Sequence, residues 1–312
     1  MSKGSLVIIK SMGIGDLVIL IANIHAISKS INEPVTVLAQ KSTHASEILK
    51  YDPFAKEVID LDKKGFFNII KKIKSSNYHQ SFIYSDSIRL YLITKLSGIK
   101  NNFQYKFFSK KGKNFFKTAK DFTEKVLRVK VDAKSKIFVN DDILLETKNK
   151  FHISGKEKNI ICGISASGPT KRWDIENYIK LFESINKKFP CKFFLAGGYY
   201  DKDLIKQVMD SSIGKKCISF ENLKISETIP IIKACNFCIS NDTGFAHISS
   251  SLDLKTLILF MDSPPIAYGV YNKNISIIVP SGETIESCGH NTRGKNKILF
   301  DDVLKKTMDL LS

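Results

Sequence analysis

Short apolar runs alternate with longer amphipathic ones along almost the entire chain, and this alternation limits the possible folds more than any other feature. In the first half, "SLVIIK" (5–10), "PVTVLAQ" (34–40), "KEVIDL" (56–61) and "SFIY" (81–84) are short and rich in apolar residues, as buried strands are. Between them, "GDLVILIANIHAISKS" (15–30) and segments near 65–75 and 86–97 carry apolar residues at helical spacing. After a polar stretch, 146–159, the pattern restarts with strand "IICGIS", a helix over 174–189, strand "KFFLAGG", a helix from Asp201 and strand "CISF". It continues with helix "SETIPIIKA", strand "NFCIS", a helix from Gly244 and strand "KTLILF". Repeated βαβ units require parallel strands joined by right-handed crossovers, with helices covering both faces of the sheet.

A chain of 312 residues is long for one core. Two Rossmann-like α/β domains are therefore expected, 1–152 and 153–312, facing each other across a cleft lined by the carboxyl ends of their strands. An amphipathic helix over about 300–311 can pack on either domain. The longest apolar run, 17–27, includes Asn23 and His25 and is shorter than the roughly 20 residues of a membrane span. Lys10 interrupts the N-terminal apolar stretch, so no signal-peptide core is expected and a cytoplasmic location follows. The six cysteines lie mostly in strand-like runs; Cys235 and Cys238 form a CxxC without a second pair, which reads as buried thiols rather than a zinc site.

The formal net charge is +17, and the first 150 residues hold most of the excess, with 27 Lys and Arg against 14 Asp and Glu. Residues 100–136 carry twelve basic and three acidic side chains, interleaved with Phe103, Tyr105, Phe107, Phe108, Phe115 and Phe116. Such a stretch suits a nucleic acid, an anionic membrane surface or an acidic substrate, and equally a solvated lysine face.

Three motifs fall where strands give way to helices. In "KSMGIGDLV" (10–18), Gly13 and Gly15 resemble the start of a dinucleotide fingerprint, but Val18 replaces the third glycine. Gln40 and Lys41 stand where an acid would take a ribose, which argues against a nicotinamide enzyme. Asp16 then reads either as a helix-dipole acid or as a carboxylate presented for chemistry. In "GISASGPTKRW" (163–173), Ser167 lies in a small-residue loop followed by the cations Lys171 and Arg172, a candidate anion site. In "SNDTGFAHISSSL" (240–252), Asp242, Thr243 and Gly244 separate a strand from a helix whose first N–H groups can seat a phosphate, with His247 one turn on. Thr243 or Asp242 as a cap, and His247 as a satisfied core residue, remain alternatives.

Together, "GIGDLV", "SGPTKRW" with "FFLAGG", and "SNDTGFAHISSSL" resemble the ADP-heptose:lipopolysaccharide heptosyltransferases of glycosyltransferase family 9, over most of residues 5–280. The Asp-Thr-Gly-x-x-His block is the most specific part. The resemblance implies the GT-B arrangement, with an N-terminal acceptor-binding and a C-terminal nucleotide-sugar-binding domain, and inverting transfer of a heptose from an ADP-sugar without a metal or other cofactor. It makes Asp16 the general base, Lys171 the cation on the donor diphosphate, and Thr243 with Gly244 its backbone seat. It leaves Gly15, Ser167, Arg172, Asp201, Asp242 and His247 as donor-site candidates, Asp201 or Asp203 serving the ribose. The implied acceptor is a lipopolysaccharide core or related phosphorylated glycolipid on an anionic inner membrane, which the basic stretch would collect, and no nucleic acid is expected.

This sequence departs from the family in "FMDSPP" (260–265), where a Gly-Pro-Thr-Asp-Pro-like turn is usual and only Ser263 and Pro265 keep similar roles. The proline usual early in the first helix is also missing. "DLD" at 60–62 has the form of a metal-binding DxD, a competing reading. A basic nucleic-acid- or membrane-binding module that keeps a transferase-like fold without catalysis is the alternative function.

Overall fold

The computed structural model describes residues 4–61, 65–105, 114–132 and 134–312. They form two units, Met1–Phe138 and Val139–Ser312. The first contains β1 (Ser5–Ile9), α1 (Ile14–Ile31), β2 (Val35–Ala39), α2 (Ala45–Ile48), β3 (Ala55–Asp60), α3 (Phe66–Ser76), β4 (Gln80–Tyr84), α4 (Ile88–Leu96), β5 (Asn101–Gln104) and α5 (Phe115–Leu127). Its five strands pair in parallel in the order β3-β2-β1-β4-β5. Every residue of β1 and β2 is buried, because helices cover both faces of a parallel sheet.

The helix α1 is long and apolar enough to cross a bilayer by length and composition. Leu17 to Ile21 are nevertheless fully buried, and α1 packs against α5, with the Thr123 hydroxyl donating to Asn23 Oδ1 at 2.7 Å. It is a core helix of this unit.

The second unit contains α6 (Asp141–Lys150), β6 (Lys158–Gly163), α7 (Ile175–Lys188), β7 (Cys191–Leu195), α8 (Lys202–Met209), β8 (Cys217–Ser219), α9 (Ile225–Ala234), β9 (Phe237–Asn241), α10 (Gly244–Ser251), β10 (Lys255–Leu259), α11 (Pro265–Tyr268), β11 (Ile275–Ile278) and α12 (Phe300–Leu311). Six parallel strands run β11-β10-β9-β6-β7-β8. In α7, Ile175, Tyr178, Leu181, Phe182 and Ile185 are buried at helical spacing against Phe193 and Ile239 of the sheet. Helix α12 adds Val303 and Leu311 to the same core, so the C-terminal helix belongs to this unit.

The division at 138/139 precedes the boundary expected at 152/153, so α6 falls within the second unit. That helix buries no residue fully and reads as a polar linker, yet it packs on α9, and the Lys192 ammonium donates to the Phe151 and His152 carbonyls beyond its end at 3.2 and 2.9 Å. All six cysteines are buried and free, and burial pushes Cys191 up to about 11 and Cys217 and Cys238 up to about 12.

Candidate functional site

In the second unit, the chain passes from β6 to β7 on one side and later returns to β9 on the other, so the loops leaving β6 and β9 meet at the switch point of the sheet. The strands approach closely there. Gly163, the last residue of β6, pairs with Ser240, and a Cβ at Gly163 would stand 1.9 Å from Ser240 Oγ, which no side chain tolerates.

Asn241 ends β9 fully buried and ties the two loops together. Its Nδ2 donates to the carbonyls of Ile164 and Ser165, both at 3.1 Å, and its Oδ1 accepts the Trp173 N–H at 3.2 Å and the Tyr178 hydroxyl at 3.0 Å. A buried amide with every partner supplied fixes the course of the 164–173 loop. Trp173 belongs to the core: it is 1% exposed, and its Nε1 donates to the Ile298 carbonyl at 3.3 Å.

Lys171 ends a short turn in this loop, with two carboxylates near it. Burial alone would raise the carboxyl of Asp242, but the His247 imidazole, the Ser263 hydroxyl at 2.6 Å and the Lys171 charge hold it below the usual range. Asp262 behaves alike: burial opposes ionisation, while the Thr170 hydroxyl at 2.6 Å, the backbone N–H groups of Arg293 at 3.0 Å and of Asn291, and Lys171 favour it. His247 is 3% exposed, with Nε2 3.5 Å from Asp242 Oδ1 and Nδ1 3.0 Å from the Tyr271 hydroxyl. It braces Asp242.

Thr243 stands at the N-cap of α10 in extended conformation and makes no capping hydrogen bond, so the first-turn N–H groups from Gly244 onward are not taken by its side chain. Lys171 and the start of α10 thus lie on loops joined through Asn241 and through the Lys171–Asp242 attraction. A cation beside a helix N-terminus can hold a diphosphate and stabilise it as a leaving group.

The other candidates fall in different surroundings. Ser167 is exposed on the same loop. Arg172 Nη2 lies 3.9 Å from Asp201 Oδ1, and its Nε is buried without a hydrogen-bond partner. Asp201 also accepts the Gly198 N–H at 3.0 Å, so this pair links the loops after β6 and β7. Gly15 and Asp16 occupy the first turn of α1 in the other unit, directly after β1 and again at a switch point, where Asp16 is half-buried. Of "DLD", Asp60 ends β3 and Asp62 lies outside the described residues.

Residues 113–297 match the model of glycosyltransferase family 9 (heptosyltransferase). The chain belongs to this family. It is 22% identical to lipopolysaccharide heptosyltransferase 1 of Campylobacter coli, covering 84% of this chain and 86% of that protein. The solved ADP-heptose lps heptosyltransferase II of E. coli superposes with a TM-score of 0.81 at 16% identity, covering 99% of this chain and 98% of that one. The E. coli heptosyltransferase WaaC with ADP gives 0.76 at 12% identity, with 98% and 99% covered. The fold is accordingly GT-B, built from two Rossmann-like parallel-sheet units.

Within this family 9 chain, the atypical "FMDSPP" turn supplies Asp262 and Ser263, each hydrogen-bonded to one of the motif loops. Sequence reasoning missed Asp262, Thr170 and the bracing role of Asn241; a buried amide closing the apolar run "FCISN" was the one available signal. Asp262→Ala is expected to destabilise the protein by about 1–3 kcal/mol, because Thr170 Oγ1 and the Arg293 N–H lose their acceptor. Thermal melting of Asp262→Ala, Thr170→Val and the double variant checks this. Additive effects would mean that the two side chains do not act together.

Proposed function

We propose that the protein is an inverting, metal-independent glycosyltransferase that moves a heptose or related sugar from an ADP-sugar to a lipopolysaccharide core or related surface-glycan acceptor. The observation that carries this reading is the pairing of Lys171 with the uncapped start of α10 at the β6/β9 switch point. As the glycosidic bond breaks, the departing diphosphate gains charge, and Lys171 with the N–H groups from Gly244 onward stabilises it without reorganisation. Asn241, Asp242, Asp262 and His247 hold those groups in place, while Ser167, Arg172 and Asp201 border the donor. Asp16, in the first unit, takes the proton of the acceptor hydroxyl as it attacks. The acceptor is a phosphorylated glycolipid, collected by peripheral contact with an anionic membrane from the cytoplasmic side.

Nucleic-acid binding has no comparable support. Three aromatic residues of the basic stretch are engaged within the unit: Phe116 is buried, Phe103 stacks on Phe82 at 5.3 Å, and Tyr105 meets Phe122 edge-on at 5.0 Å.

A thermal-shift comparison tests the class. ADP or an ADP-sugar at about 100 times its Kd is expected to stabilise the protein by about 2.7 kcal/mol, with or without EDTA, while NAD does less. A shift with NAD alone, or one abolished by EDTA, overturns the reading.

A further inference from the structure

Helices α3 and α4 pack side by side on one face of the first unit's sheet, where the Ser97 hydroxyl donates to the Ile70 carbonyl at 3.4 Å. Their inner residues, Ile69, Ile73, Leu90 and Ile93, enter the core. A surface helix normally turns polar on its other side. Helix α4 does so only in part: Ile88, Leu92 and Leu96 recur every fourth residue along its outer face and are 53%, 46% and 57% exposed. Phe67 on α3 is 80% exposed. Scattered exposed apolar residues are ordinary, but a row of three on one helix face forms a patch.

The two helices themselves carry charge of one sign. Neither helix contains an aspartate or glutamate, while α3 carries Lys71, Lys72 and Lys74 and α4 carries Arg89 and Lys95. Lys72 pairs with Glu57 at 3.1 Å. Lys95 on α4 and Lys71 and Lys74 on the neighbouring α3 are exposed. An apolar face rimmed by cations matches the boundary of an anionic bilayer, where ammonium groups meet phosphodiesters and aliphatic side chains enter the acyl region. At nine residues, α4 can lie in that plane but not cross it.

We propose that the outer face of α3 and α4 docks the protein on an anionic lipid surface. This deepens the proposed use of a glycolipid acceptor and rests on that reading for its purpose. It also places the membrane contact on these helices rather than on α5, the described helix of the basic stretch 100–136. In the described part of that stretch, α5 directs Phe116, Ala119 and Thr123 inward, and its Lys117 and Lys120 pair with Asp121 and Glu124 one turn on. That helix presents no apolar row.

The test is cosedimentation of the full chain with phosphatidylglycerol–phosphatidylcholine vesicles, with pure phosphatidylcholine vesicles and duplex DNA as comparisons. The wild type is expected to bind the anionic vesicles and neither comparison. Lys71→Gln/Lys74→Gln/Lys95→Gln is expected to lower partitioning about 100-fold, since each cation near the surface contributes about fivefold. Leu92→Gln/Leu96→Gln is expected to lower it about tenfold. Both variants should keep the ADP-sugar thermal shift of the wild type, so loss of docking is separable from failure of the donor reading, which would remove that shift in every protein. Should the leucine variant melt early, the lysine variant, altered only in exposed cations, decides. Vesicle binding that survives the lysine changes, that falls equally with Lys117→Gln/Lys125→Gln, or that is absent while DNA is retained overturns the proposal.

Discussion

Asp16→Asn is expected to leave folding and donor binding near wild type while sugar transfer falls by about 10² to 10⁴. Asparagine keeps the size of the side chain and its place in the first turn of α1, but it cannot accept a proton from an attacking hydroxyl. As a helix-dipole acid alone, Asp16 would contribute about 0.3–1 kcal/mol of stability and nothing to turnover. The two roles therefore move different observables. Transfer to a phosphorylated lipid-core acceptor, donor affinity and melting temperature should be measured on one preparation. Retained transfer removes the catalytic assignment, and joint loss of transfer and donor affinity relocates Asp16 to the donor site.

Lys171→Ala is expected to weaken donor binding and transfer together by about 1.5–3 kcal/mol, roughly 10- to 150-fold, as for a charge-assisted contact to phosphate. The surroundings of Lys171 make its loss worse than the removal of a surface lysine. Asp242 and Asp262 are both held ionised in part by its charge, so the variant leaves two carboxylates beside the proposed diphosphate seat without their shared cation. Arg172→Ala should affect the donor less, because its guanidinium already faces Asp201 at 3.9 Å. Calorimetric titration with ADP compares the two variants. Equal affinity in wild type and Lys171→Ala shows that another cation holds the diphosphate.

The fold was largely legible because burial on both sides of a parallel sheet leaves a plain mark: "SLVII", "VTVLA" and "FCISN" are entirely buried. Elements with little burial were not. The edge strand β5 is "NNFQ", α6 buries nothing fully, and α5 lies within a run of lysines that reads as surface. Their positions come from partners distant in sequence, such as Asn23 for α5 and α9 for α6.

The loops that carry Asp16, Lys171 and Thr243 were legible for the same reason as the strands, since each follows an apolar run and opens a helix. By itself the sequence determined the two parallel-sheet units, the order of their motifs and the family to which they belong. Only the tertiary structure decided that Asn241 joins two loops nearly 70 residues apart, that Asp262 brings Thr170 to the segment around Arg293, and that Trp173 is core. It also decided that, among the described residues, a row of exposed apolar side chains lies on α4. The physical reason is that periodicity reports which face of an element is apolar, whereas hydrogen-bond partners and solvent exposure depend on which elements the sheet order sets side by side.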